Sequence, residues 1–203
     1  MIIHSFNDQL SDTLVEELSK TIKVDMYQHP PVDGGFPFYS SYNVGKVRHF
    51  PDAIERYYDD KFRRILYHLD LLGRTVNDVY KWCQIYNKST GGKGHPPHTH
   101  FSGNQLLSIV HFVRTPNQKC FYFVNGGQKY YPDTQNSGDF IVFPSWASHG
   151  VDAVEVDNND RIIVSANVHC KEYMDADLNS AHALVCSKKY RKNMVTKVWS
   201  NKQ

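Results

Sequence analysis

His98-Thr99-His100 sets two imidazoles two residues apart, and His149 follows forty-nine residues after His100, at the end of Phe143-Pro144-Ser145-Trp146-Ala147-Ser148-His149. On an extended segment, side chains two apart project to the same side, so His98 and His100 can offer two nitrogen donors to one point. A third imidazole brought in from a distant strand, His149, would complete one face of a metal's coordination sphere. Three ligands leave neighbouring positions open for substrate or dioxygen, whereas a closed four-ligand shell is structural. His95-Pro96-Pro97 just upstream biases this stretch away from helix and toward a strand edge. Spacing alone leaves a plainer reading open, in which the loop histidines are polar surface. His4, His29, His49, His68, His169 and His182 have no comparable company and are assigned to surface or core.

Arg161 lies twelve residues beyond His149 and opens an otherwise apolar segment, Arg161-Ile162-Ile163-Val164-Ser165-Ala166-Asn167. Strand alternation puts Arg161, Ile163, Ser165 and Asn167 on one face and Ile162, Val164, Ala166 and Val168 on the other. A buried guanidinium, hydroxyl and amide all need partners. A carboxylate ligand suits them, because a guanidinium grips both oxygens and the Ser165 hydroxyl adds a hydrogen bond. In the competing reading Arg161 only ends a loop and pairs with Asp160 or Asp157.

The elements that must carry these residues are legible in outline. Ser11 or Asp12 can cap a helix whose Leu14, Val15, Leu18 and Ile22 recur every three to four residues. A longer helix is expected from Pro51 to about Leu72, with Gly73 as its terminator and an apolar stripe of Ile54, Tyr57, Tyr58, Phe62, Ile65, Leu66 and Leu69. Between them, residues 29–50 read as a loop with a short extended piece, and as a lid. The pattern then changes to strands at Val79–Tyr86, Leu106–Val113, Cys120–Val124, Phe140–Phe143 and Arg161–Val168, separated by turns such as Gly126-Gly127. Helices followed by many short strands predict a β-sandwich or jelly roll buttressed by helices. Asp175–Val185 could be helical, and the end from Lys188 is basic, which suits either a solvated terminus or contact with an acidic partner such as nucleic acid.

Composition narrows the classes. The chain has 203 residues, enough for one domain with a real core, and 23 Lys+Arg against 21 Asp+Glu give no global field for nucleic acid. The four cysteines, Cys83, Cys120, Cys170 and Cys186, form no CxxC pair and read as isolated reduced thiols. With no secretory pattern and no apolar run able to span a bilayer, an intracellular, cytoplasmic protein is expected, with no membrane partner.

Trp82-x-Gln84, His98-x-His100, Ser108-Ile-Val-His-Phe-Val113, Gly138-Asp-Phe-Ile-Val-Phe-Pro-Ser-Trp146, His149, and Arg161 with Asn167 occur in this order over about 85 residues. In this the chain resembles the 2-oxoglutarate/Fe(II)-dependent oxygenases, and most of all a branch related to prolyl hydroxylases that is common in marine bacteria and their phages. The resemblance implies one oxygenase domain over 1–203: a helical part at 1–75, a double-stranded β-helix core at 76–170 and an extension at 171–203. It implies that His98, His100 and His149 bind Fe(II), that Arg161 pairs with the far carboxylate of 2-oxoglutarate, and that Ser165, Tyr86 and Gln84 add contacts to this co-substrate. The implied reaction uses O2 to hydroxylate a C–H bond of a peptidyl substrate, a prolyl residue included, or of a small molecule, and releases succinate and carbon dioxide.

Three positions depart from the usual pattern. His100 stands where most of the superfamily carries Asp or Glu, leaving the metal site one charge more positive. His111-Phe112 replaces a Tyr-Tyr pair, removing a co-substrate hydroxyl, and Ile163 replaces the serine of Arg-x-Ser. Three histidines without a carboxylate also describe cupin-type iron dioxygenases that use no 2-oxoglutarate. A non-catalytic β module binding metal, or nothing, is the further alternative.

Overall fold

The computed structural model describes residues 4–28, 39–42, 50–69, 76–87, 94–100, 105–116, 118–153 and 160–170. Most of the expected lid at 29–50, the Gly73 terminator, the helix at Asp175–Val185, the basic end and Cys186 lie outside these residues. In chain order the elements are β1 (His4–Asn7), α1 (Asp12–Gln28), β2 (Tyr39–Ser40), α2 (Asp52–His68), β3 (Val76–Tyr86), β4 (His95–His98), β5 (Gln105–Arg114), β6 (Phe121–Asn125), β7 (Gln128–Tyr130), β8 (Asp139–Pro144), β9 (His149–Val151) and β10 (Arg161–Cys170). All strand pairs are antiparallel: a six-stranded sheet ordered β1-β8-β5-β10-β3-β2 faces a four-stranded sheet ordered β4-β9-β6-β7.

The larger sheet is covered on both faces, which explains why β5, β8 and β10 read as nearly continuous apolar runs. Ile109, Val113, Phe140, Val142, Ile162, Val164, Ala166 and Val168 point toward the helices, where they pack with Leu18, Ile22, Ile54, Phe62, Ile65 and Leu66. Their alternates Val110, Phe112, Ile141, Phe143 and Ile163 point to the interior between the sheets and meet Phe121, Phe123 and Val151 of the smaller sheet. Helix α1 starts where the sequence places it, with the Leu14 amide donating to the Ser11 hydroxyl oxygen. Helix α2 stops at His68, short of Leu72, and the Leu69 amide makes the closing bond to the Ile65 carbonyl. Gly126 and Gly127, both at positive φ, turn β6 into β7 in the manner of a tight two-residue hairpin. Cys83 and Cys120 are buried free thiols, and no described helix is long and apolar enough to cross a membrane.

His111 falls on the helix-facing side of β5, so of the His111-Phe112 pair only Phe112 faces the interior. Its Nε2 lies 3.1 Å from the Asp8 carbonyl, which can only accept, and its Nδ1 lies 2.8 Å from the Tyr58 hydroxyl, which then donates. The imidazole is therefore neutral, and burial pushes its pKa down to about 3, well below the ordinary 6.5. A histidine depressed in the fold binds more protons when the chain is unfolded. Its contribution is complete above the unfolded value and is lost as pH falls from about 6.5 toward 3, by up to about 1.4 kcal/mol per pH unit. Urea unfolding midpoints at about pH 7.5 and about pH 5 should therefore differ less in His111→Gln than in the wild type. An equal pH response in the two proteins would remove His111 as a source of acid sensitivity.

Candidate metal centre

Two short strands of the smaller sheet assemble the histidines. His98 of β4 lies directly across from His149 of β9, while His95 pairs with Val151. Three residue steps on β4 thus match two on β9, a bulge of the kind that re-aims side chains next to sites. In a regular strand, three steps would put His95 and His98 on opposite sides. With the bulge, both line one cavity, and their rings meet at 4.1 Å. His100 follows just beyond β4, where its amide donates to the Ser145 carbonyl at 3.0 Å. Ser145 is held in turn by its amide on the Leu106 carbonyl and its hydroxyl on the Gln105 carbonyl. The Phe143-Pro144-Ser145-Trp146 block therefore ties the end of β8 to the segment that carries His100.

Close backbone contact keeps β4 against β9. A Cβ on Gly94 would fall 2.1 Å from the Val151 carbonyl oxygen, and one on Gly150 would fall 2.9 Å from the His95 carbonyl oxygen. Gly94→Ala must push the strands apart and is expected to cost about 1–3 kcal/mol of stability and to weaken metal binding. Urea unfolding and a Co(II) titration check this, and wild-type values for both would show that the strand pair tolerates the extra atom.

One potential ligand atom from each of His98, His100 and His149 lies within 4.8 Å of the others. The Nδ1 of His98 faces the Pro96 carbonyl at 2.9 Å and that of His149 faces the Ala147 carbonyl at 2.8 Å. Because a carbonyl cannot donate, each neutral ring carries its proton on Nδ1 and keeps the Nε2 lone pair for a metal. Burial, the leading cause in each case, pulls His95 and His100 down to about 4, lowers His98, and holds His149 well below the usual imidazole range. Repulsion between imidazoles adds to this at His95, His100 and His149. Neutral imidazoles at physiological pH are the form a metal binds.

The histidines open onto a cavity of about 250 Å³ whose other wall is the larger sheet, through Trp82, Gln84 and Tyr86 of β3, Ser108 of β5 and Ser165 and Asn167 of β10. Gln84 and Tyr86, expected to share a face, do so. Arg161 pairs with Tyr86 in the sheet register and is 1% exposed. It does not line the cavity itself; its guanidinium carbon sits 4.6 Å over the ring of Tyr86, which does. Burial raises the Tyr86 hydroxyl to about 12, partly offset by the charge of Arg161. Asp160 bonds Lys23 and Ser19, not Arg161, and Asp157 lies outside the described residues. All three guanidinium nitrogens are buried with no hydrogen-bond partner among the described residues.

Some cavity residues carried no clear signal in sequence. His95, which looks like clutter beside His98 and His100, is in ring contact with His98, and only the bulge reveals this. Tyr42 lines the cavity and packs on Trp82 at 4.9 Å, although the sequence around it gives no such indication. Ser108 and Asn167 are bonded to each other across β5 and β10.

No family model and no curated protein matches the sequence. Solved structures do match the fold. A prolyl-4-hydroxylase of Pseudomonas putida superposes with a TM-score of 0.60 at 14% identity, covering 82% of this chain and 91% of that one. A prolyl hydroxylase of Trichoplax adhaerens, solved with a peptide fragment of the hypoxia-inducible factor oxygen degradation domain, gives 0.60 at 12% identity over 86% and 87%. The non-heme alpha-ketoglutarate-dependent carbocyclase of nogalamycin biosynthesis gives 0.57 at 12% identity over 82% and 79%. The two facing antiparallel sheets buttressed by helices are the jelly-roll, double-stranded β-helix fold of the 2-oxoglutarate/Fe(II)-dependent oxygenases.

Proposed function

We propose that the protein is an Fe(II)- and 2-oxoglutarate-dependent dioxygenase that hydroxylates a C–H bond of a peptidyl or small-molecule substrate. The observation that carries this reading is the fully buried guanidinium of Arg161, with no hydrogen-bond acceptor among the described residues, beside a cavity where three neutral imidazoles converge. A buried cation lacking a partner is costly, and the groups present fit the absent pair: an anion for the arginine and a divalent metal for the histidines. In this reading His98, His100 and His149 hold the iron, and Arg161 holds the far carboxylate of 2-oxoglutarate. The Ser165 hydroxyl, Gln84 and Tyr86 add polar contacts from the same wall.

When bound, iron, 2-oxoglutarate and dioxygen supply the oxidative decarboxylation that drives substrate hydroxylation and yields succinate and carbon dioxide. The chain's own contribution is positional. The Pro96 and Ala147 carbonyls set the tautomers of His98 and His149, and the apolar interior formed by Val110, Phe121 and Phe143 limits water around the site. A peptidyl substrate, a prolyl residue included, is supported by the peptide-bound prolyl hydroxylase that shares the fold. Anaerobic addition of Fe(II) and 2-oxoglutarate should produce a weak visible absorption band. Peptides that are substrates should then stimulate succinate release in air. Absence of the band at saturating concentrations of both would overturn the proposal.

The all-histidine composition of the cluster favours one second reading, a three-His iron dioxygenase that uses no 2-oxoglutarate. It assigns no ligand to Arg161, so the two readings diverge at that residue.

A further inference from the structure

Resting on the metal-binding reading of the three histidines, we infer that Asn167 positions His100, and that its side-chain amide reverses direction when the metal binds. His100 differs from its two partners. His98 and His149 each meet a backbone carbonyl, which compels the proton onto Nδ1, whereas the Nδ1 of His100 faces the side chain of Asn167 at 3.5 Å. Asn167 is 1% exposed and is held from behind by Ser108, whose hydroxyl donates to Oδ1 at 3.1 Å. In that arrangement the amide nitrogen is the end turned to His100. The ring then accepts on Nδ1 and carries its proton on Nε2, which has no lone pair left for a metal.

A half-turn of the amide exchanges two ends of nearly equal size and inverts the chain of bonds. The Asn167 nitrogen then donates to the Ser108 oxygen, and Oδ1 accepts from the Nδ1–H of His100. The lone pair moves to Nε2, so all three histidines present the same tautomer. One N–H bond breaks and one forms: the imidazole releases its Nε2 proton to solvent and takes one from solvent on Nδ1, with no net change of charge. A backbone carbonyl permits one tautomer only, whereas an amide backed by a hydroxyl permits both. His100 is thereby the one member of the cluster whose readiness for metal is set by a side chain, and Asn167 supplies the outer bond that a metal-bound imidazole needs.

Substitution separates this role from simple packing. Asparagine 167 exchanged for aspartate (Asn167→Asp) offers only acceptors and keeps both His100 and Ser108 partnered in the metal-ready direction. Asn167→Leu fills similar space and offers nothing. Co(II) titration followed by its visible ligand-field bands, with thermal unfolding of the metal-free proteins as a check on folding, reads the difference. The expected result is a loss of about 10- to 100-fold in Co(II) affinity for Asn167→Leu, with Asn167→Asp at or above the wild type and the wild-type band pattern retained. Should Asn167→Leu not fold, Asn167→Ala, which removes the amide and leaves Ser108 in place, must weaken Co(II) binding relative to the wild type, and an unchanged affinity would refute the inference. Asn167→Leu binding Co(II) within about two-fold of the wild type would overturn the positioning role and leave the metal site standing. A wild-type protein that binds no Co(II) would overturn both.

Discussion

Arg161→Met is expected to remove measurable 2-oxoglutarate binding while raising the thermal midpoint of the ligand-free protein. The guanidinium is 1% exposed and none of its nitrogens has a hydrogen-bond partner among the described residues. Loss of a buried, hydrogen-bonded charge partner costs a ligand about 2–5 kcal/mol, or about 30- to 5,000-fold in Kd. In the empty protein the balance runs the other way, because unsatisfied buried donors destabilise by about 1–3 kcal/mol. Methionine is unbranched and adaptable, and can fill the space beneath the Tyr86 ring without a charge. A rise on the order of 5 °C in the midpoint follows. Calorimetric titration with 2-oxoglutarate and a thermal scan of the same sample make both measurements. Unchanged 2-oxoglutarate affinity would favour the three-His dioxygenase that uses no 2-oxoglutarate, and a lower midpoint would mean that the arginine serves the fold.

His149→Leu is expected to abolish Fe(II) retention with little effect on folding. His149 stands opposite His98 in the β4–β9 register and is the most buried of the three candidate ligands. Removing only an outer hydrogen bond to a ligand costs about 10–100-fold in metal affinity, so removal of the ligand itself should exceed about 100-fold. The site is lined by aromatic rings, with Phe143 at 4.9 Å and Phe121 at 5.6 Å from the imidazole. Leucine can occupy that place, whereas His149→Ala would also open a cavity and lose about 2–4 kcal/mol. Anaerobic Fe(II) titration should therefore separate both variants from the wild type, and urea unfolding should separate the alanine from the leucine. Retention of Fe(II) by His149→Leu would displace the metal centre from this cluster.

Much of the fold was legible because its strongest elements bury apolar surface in a regular rhythm. Strands β5, β8 and β10 and both helices lie where their patterns place them, within a few residues at each end. Strands β1, β7 and β9 were missed, and for β9 the reason is plain: His149–Val151 is too short for alternation to register. His111 shows a limit of a different kind. Its place in the chain suggests a site residue, yet β5 is buried on both faces, and which face a residue takes follows from pairing with β10 and β8.

The sequence by itself determined the donor set and its local geometry: two imidazoles near the end of an extended segment, and a guanidinium sharing a strand face with Ser165 and Asn167. Backbone alternation is a property of neighbouring residues and needs no tertiary information. Only the tertiary structure decided that His98 meets His149, that a bulge turns His95 into the same cavity, and that Arg161 meets no acid among the described residues. Those outcomes depend on register between segments far apart in the chain, and a one-residue shift in pairing would send each side chain to the other face. They also depend on which carbonyl or amide stands behind each ring. That last detail separates His100, backed by Asn167, from two histidines backed by the main chain.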